Sequence, residues 1–332
     1  MKCILNLAAG VMVLMMPRLA VEARAQEEGL PEGVTAKVVT YYSEHVACYG
    51  RIFFPKDFVP GGKTPGVVLA NGWTGTAGTL ERYAAQFAAR GLVAMTIDYR
   101  GWGRSGAFVR LAEPIKQDDR LRFAPFTARV RLKRTRLLPE AQIEDIRNAI
   151  SYLQGERGVN PDRIGLWGTS YAGGHVITVA GRDARVKVAV CQVPAISGKN
   201  VPVEAFRLTG NLLEDAIRRA RTGQGGTYES GFSRKVTLDL ETRQAAAEYR
   251  PFHEIPDIPA SVPILFVIAE NEELMSNEDH ARAAAAALEG QGNTVKVLEI
   301  PDITYLQIHR GKAFRTGSQA AADWFVEHLN AN

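Results

Sequence analysis

Residues 35–54, TAKVVTYYSEHVACYGRIFF, alternate with period two and are rich in β-branched and aromatic types. That pattern predicts an antiparallel strand pair. Beyond residue 64 the pattern changes. Short unbroken apolar runs (TPGVVLA, LVAMTI, RIGLW, VKVAVC, PILFVIA, TVKVLEI) are separated by stretches of helical period. Residues 78–91, GTLERYAAQFAARG, read as a helix stopped by Gly91. Residues 140–154 set Ile143, Ile146, Ile150 and Leu153 on one helical face, and residues 317–329 close the chain as another helix. Continuous apolar strands between amphipathic helices imply an α/β protein whose mostly parallel, doubly wound sheet is covered on both faces.

The alternation fails between about residues 195 and 258. That segment carries VEAFRLTGNLLEDAIRRARTG and joints rich in Pro and Gly. It predicts a mostly helical cap inserted over the carboxyl ends of the strands, where open α/β sheets bind ligands. A packing excursion with no substrate role is the plainer alternative. The alanine run ARAAAAALEG is a good helix former.

The first residues change the picture of the compartment. Lys2, a short apolar core, and Ala23-Arg24-Ala25 before Gln26 form the pattern of a secretory signal peptide over residues 1–25. An ordinary buried helix is the alternative, but the run is too short to span a bilayer and ends in a cleavable A-x-A site. Residues 26–332 would then be a single exported domain, periplasmic or secreted. No later stretch approaches the roughly 18 apolar residues of a membrane span. The removed segment carries three cations and one carboxylate, so the formal charge falls by two from +4. A nearly neutral chain argues against a general polyanion partner. The basic run from Arg120 to Arg136 lacks the aromatic interleaving of a nucleic-acid groove and is followed by Glu140, Glu144 and Asp145. It reads as a solvated segment.

No metal-ligand spacing is present, since the six histidines are scattered and no C-x-x-C pair exists. GWGRSG lacks the lysine and the spacing of a phosphate loop. No cofactor is implied, and the expected partner is a small-molecule substrate.

The chemistry concentrates in GTSYAGG, residues 168–174. A G-x-S-x-small sequence between an apolar strand and a helix is a nucleophile elbow. Serine on a tight turn projects its oxygen freely, and its neighbours must be small because other backbone passes close. Gly168 and Ala172 meet that need. A bare strand-helix turn is the bland alternative. With ANGW, DYRGWGRSG, GLWGTSYAGG and ILFVIAENEELMS in order, the chain resembles the α/β-hydrolase superfamily, most closely its dienelactone-hydrolase and Xaa-Pro-peptidase-like branch. The resemblance covers nearly all of the chain after residue 25 except the cap. It is specific for fold and weak for substrate.

The resemblance implies Ser170 as nucleophile. It implies the backbone N–H groups of Tyr171 and Trp73 as oxyanion donors, with Asn71 shaping the loop before Trp73. The acid follows the strand PILFVIA, where Glu270, Glu272, Glu273 and Asp279 compete. Ala269 takes the position of the family's glycine, which puts Glu272 at the acid position. The histidine should follow the last strand. Laid onto PDITYLQIHRG, that position is Tyr305, and His309 stands four residues on. A phenol with a pKa near 10 cannot replace imidazole as base. Loss of the histidine from a serine triad costs about a millionfold in turnover.

Either His309 serves as base, hydrogen-bonded to Glu272, or Ser170 lacks one. A helical path from 305 to 309 would displace the base by about 6 Å, so the first case needs a different loop path. His45, His175, His253, His280 and His328 fall outside any motif. The resemblance also sets Cys48 near one edge of the sheet and Cys191 well across it, which implies free thiols. The functional expectation is a serine hydrolase of a small or medium ester, lactone or thioester, working through Ser170, His309 and Glu272. The rivals are a catalytically silent binding protein of the same fold and a cofactor-free perhydrolase.

Overall fold

The computed structural model describes residues 29–113, 125–197, 212–223, 228–229 and 237–330. The expected signal segment and Arg120 and Arg122 lie outside these residues, as do parts of the expected cap.

The chain begins with a hairpin of β1 (Thr35–Ser43) and β2 (Val46–Phe54). Its two-residue turn, Glu44 and His45, has φ of 44° and 66°. Two positive φ values match the right-handed strand twist, as hairpin turns of this kind require. Then come β3 (Thr64–Ala70), α1 (Ala77–Ala89) and β4 (Val93–Ile97). A side hairpin follows, β5 (Phe108–Leu111) and β6 (Val130–Lys133), and then α2 (Pro139–Gln154). The chain returns through β7 (Val159–Thr169), α3 (Tyr171–Arg182) and β8 (Val186–Gln192). The insertion contributes α4 (Leu212–Thr222), the short pair β9 (Tyr228–Glu229) and β10 (Thr237–Leu238), and α5 (Leu240–Glu248). The last part is β11 (Ile264–Asn271), α6 (Ala283–Gly290), β12 (Val295–Thr304) and α7 (Gly311–Asn330).

The eight-stranded sheet runs β1-β2-β4-β3-β7-β8-β11-β12. Its first two pairings are antiparallel and the rest parallel. This is the doubly wound α/β-hydrolase architecture the sequence predicts. One apolar layer joins the sheet to α2, α3 and α6, and the other joins it to α1 and α7. Ile146, Ile150 and Leu153 of α2 are fully buried and Ile143 nearly so, as the helical period requires.

Cys48 lies on β2 and Cys191 on β8, both buried and free. Four strand spacings separate them, about 19 Å at ~4.8 Å each, which no disulfide can bridge.

The described part of the insertion packs on two supports. Asp239, the N-cap of α5, accepts from Thr242 N–H and pairs with Lys133 and Arg136 beside the side hairpin. Tyr249, just past α5, hydrogen-bonds His175 of α3 at 2.7 Å. The basic side chains of the side hairpin thus partly serve this joint.

Candidate active site

Ser170 sits between β7 and α3 with φ 59° and ψ −124°. A non-glycine residue rarely adopts such a backbone, and strain of this kind gathers at functional turns. Backbone contacts hold it there. Ser170 N–H donates to Gln192 C=O at 2.8 Å, and its C=O accepts from Gly173 at 2.9 Å and Ala195 at 3.0 Å. The small neighbours are sterically required. A Cβ on Gly168 would stand 2.4 Å from the Ala172 carbonyl oxygen, and one on Gly173 would stand 2.4 Å from Pro194 Cβ.

The loop after β3 closes directly onto this turn. A Cβ on Gly72 would lie 2.8 Å from both Ser170 Cβ and the Thr169 carbonyl oxygen. Asn71 shapes the loop. Its Nδ2 donates to Ile97 C=O at 2.7 Å, its Oδ1 accepts from Thr79 at 3.0 Å, and its own C=O accepts from the Tyr99 hydroxyl at 3.0 Å. Thr74 takes φ 62°, which completes the bend. The Tyr171 N–H opens α3 and belongs to the first-turn donors that no helical carbonyl reaches. Trp73, the other expected oxyanion donor, is the next residue after Gly72 and lines the cleft.

Tyr305 occupies the position expected for the triad histidine. It lines the same cleft as Ser170. Burial raises its pKa, an effect that the Ser170 side chain opposes and the charges of Glu272 and Glu273 reinforce. Glu272 stands at the expected acid position, the first residue past β11. Glu272 Oε1 accepts from the N–H groups of Leu274 and Met275, at 3.0 and 3.3 Å. Its Oε2 is buried with no hydrogen-bond partner. Burial pushes the Glu272 carboxyl up to about 7, with Glu273 adding to the rise against those two N–H bonds. The rival acids are engaged elsewhere. Glu270 accepts from Asp302 N–H at 2.7 Å, and Glu273 from Tyr305 N–H at 2.9 Å. Asp279 falls in the π-helical turn Glu278–Arg282.

His309 ends the short 3-10 turn Gln307–His309. Its ring hydrogen-bonds through Nδ1, to the Tyr83 hydroxyl at 2.9 Å and to Gln192 Nε2 at 3.4 Å. The expected bond between His309 and Glu272 is therefore not formed. The turn carries the ring past Tyr305, leaving the two ring centres 6.5 Å apart. Burial and the Arg82 guanidinium lower the His309 pKa to about 4, so the ring is neutral at pH 7.

A cleft of about 520 Å³ joins Ser170, Trp73, Tyr305 and His309, with Arg82 and Leu306 also on its lining. None of its lining comes from the described residues of the 195–258 segment. The other histidines lie elsewhere. His175 is buried between Tyr249 and Gln142, and His280 accepts from Ile196 N–H at 2.8 Å. His328 packs edge-on against Trp324, and His45 and His253 are exposed. Among the described residues no group of His, Cys, Asp and Glu could hold a metal ion.

Sequence reasoning missed Tyr83, Gln192 and Arg82. A polar Gln192 closing the apolar run VKVAVC was the one available signal, because a buried strand end spends a polar side chain only where it is bonded.

The family model of the serine aminopeptidases, S33, matches residues 63–248, and the chain belongs to that family. It is thus a hydrolase of the α/β superfamily. The dienelactone-hydrolase and Xaa-Pro-peptidase-like branch suggested by the motifs gains no support from this match. An Escherichia coli relative, an uncharacterized 31.7 kDa protein in the traX-finO intergenic region, is 26% identical over 80% of this chain and 92% of its own. The thiohydrolase apmlB of Arthrinium phaeospermum is 25% identical over 68% of this chain and 76% of its own. Among solved structures, DcsB in complex with its substrate analogue superposes with a TM-score of 0.67 at 20% identity. That match covers 89% of this chain and 99% of DcsB, and it shows a shared fold.

Proposed function

We propose that this chain is a serine acyl hydrolase that cleaves carboxylic esters or thioesters through an acyl-Ser170 intermediate. The observation that carries this reading is the packing of Gly72 onto Ser170. It brings the backbone beside Trp73 to the strained serine, next to the first N–H groups of α3. In this reading Ser170 Oγ attacks the acyl carbon, and the carbonyl oxygen, now an oxyanion, accepts from Trp73 N–H and Tyr171 N–H. Such preorganised donors act where charge develops and are worth about a hundredfold or more each. The alcohol or thiol leaves with a proton, and water then releases the acyl group. The thiohydrolase relative supports including thioesters.

His309 serves as base, through one water of the cleft. Three features support this. The ring lines the same cleft as Ser170. It is neutral at working pH, as a base must be. In this reading Nδ1 carries the ring proton and donates to the Tyr83 hydroxyl, while Gln192 Nε2 donates to that hydroxyl rather than to the ring, which leaves Nε2 to accept a proton. Tyr83 thereby takes the orienting role expected of Glu272. A second reading rests on one observation, the phenol of Tyr305 in place of an imidazole on the cleft of Ser170. There the cleft holds acyl ligands and turns them over slowly. His309→Ala separates the two, because only the first reading loses activity with the imidazole.

The N-terminal pattern supports export, with the mature chain starting at Gln26. Mass spectrometry of the chain recovered from its native cells tests this, and an intact residue 1–25 segment would refute it.

A further inference from the structure

The cleft beside Ser170 carries one formal charge at neutral pH. Of the side chains that line it, only Arg82 is ionised, since the others are neutral polar or apolar groups and His309 is unprotonated. Arg82 stands on α1 with its guanidinium 4.2 Å from the Phe314 ring centre and 5.6 Å from that of Tyr83. Two aromatic faces hold the group in place without using its hydrogen-bond donors. No carboxylate among the described residues pairs with it. The adjacent Glu81 is turned away to Arg51 and Arg104. Glu272 and Glu273, the nearest acids to Tyr305, spend their bonds on backbone N–H groups and do not line the cleft. By contrast, Arg51, Arg100, Arg136, Arg182 and Arg185 each meet a carboxylate.

We propose that Arg82 is the binding site for an anionic group of the substrate, a carboxylate or a phosphate, so that the enzyme acts on acidic esters or thioesters. This rests on the acyl-hydrolase reading of the same cleft. The planar guanidinium fork matches either oxyanion with two parallel bonds, and its stacked position limits the entropy lost on binding. The anion sits on the acyl part in a half-ester of a dicarboxylic acid, or on the leaving part in a phosphorylated thiol.

Two matched pairs locate it. The first is the mono-p-nitrophenyl ester of glutaric acid against p-nitrophenyl pentanoate. The second is S-acetyl-pantetheine 4′-phosphate against unphosphorylated S-acetyl-pantetheine. The wild type should prefer the anionic member of one pair in kcat/KM. Arg82→Gln should lower that preference about 10- to 100-fold, mainly through KM, the scale of a hydrogen bond to a charged group. Raising the salt concentration should erode it too. Binding keeps the test separate from turnover. Calorimetry on the full-length Ser170→Ala variant should show glutarate binding that butyrate does not match, and adding Arg82→Gln should remove it. If no ester is cleaved but glutarate or inorganic phosphate binds through Arg82, the catalytic reading falls and the anion site stands. Equal preference in wild type and Arg82→Gln for both pairs, with anion binding unchanged by the substitution, overturns the proposal.

Discussion

Ser170 and Tyr305, the residue that stands where a catalytic histidine is expected, line one cleft. Glu272, at the expected acid position, keeps a buried Oε2 without a partner, and its charge acts on the same phenol. The imidazole lies one short turn further on, bonded to Tyr83.

Tyr305→His should raise activity. Its imidazole would stand between Ser170 and the free Oε2 of Glu272, which would fix the tautomer a base needs. We expect kcat on p-nitrophenyl butyrate to rise by about tenfold or more, a modest part of what a complete triad supplies. Tyr305→Phe should change it by no more than about threefold, since the hydroxyl removed is a neutral group outside the base pathway. Steady-state kinetics on the two variants checks both.

The pH profile should carry the mark of a depressed imidazole. A base works only when unprotonated, so activity is lost as pH falls through the His309 pKa. With that pKa at about 4, the acid limb of kcat/KM should lie near pH 4 rather than 6.5. The Arg82 charge contributes to the depression, so Arg82→Gln should move the limb to higher pH. A limb that stays in place in the variant contradicts this assignment.

Gly72→Ala should damage catalysis more than folding. The added methyl must displace the loop, because it would meet Ser170 Cβ and the Thr169 oxygen at 2.8 Å. Moving the Trp73 N–H off the oxyanion position should cost about a hundredfold in kcat. The loop lies at the surface end of the sheet, so the melting temperature should drop only a few degrees. Kinetics and thermal melts on one preparation measure both.

His175 should make the fold sensitive to acid. Full burial lowers its pKa from 6.5 to about 3. Between those values the unfolded chain binds the proton and the folded chain does not, so stability rises with pH. The contribution is complete above about pH 6.5 and is lost progressively as pH falls toward 3. Urea midpoints at pH 7 and pH 4.5 should differ in the wild type. In His175→Gln the difference should shrink, although that variant loses about 1–3 kcal/mol at pH 7 from the bonds His175 makes to Tyr249 and Gln142.

Much of this molecule is legible in the chain because its causes are local. The elbow is written in the few residues around Ser170, where Gly168 and Gly173 are sterically required to be small, and the 35–54 hairpin in a period of two. Glu272 and Tyr305 are placed by their distance from strand ends. The surroundings of His309 are not legible. Its partner Tyr83 lies 226 residues away on α1, and Gln192 ends a third element. Only the layering of α1, β8 and the turn before α7 brings the three together. No pattern in residues 301–314 marks whether that ring turns toward Glu272 or away. Arg82 reads as an ordinary exposed helix residue until Phe314 and the cleft are seen beside it.

The central claim is that Ser170 turns over acyl substrates with His309 as its base. His309→Ala tests it most directly, by kcat/KM on p-nitrophenyl butyrate with folding verified by circular dichroism. The account predicts a loss of at least about a thousandfold, down to what the oxyanion donors and binding alone sustain. A folded His309→Ala enzyme with wild-type kcat/KM would contradict it.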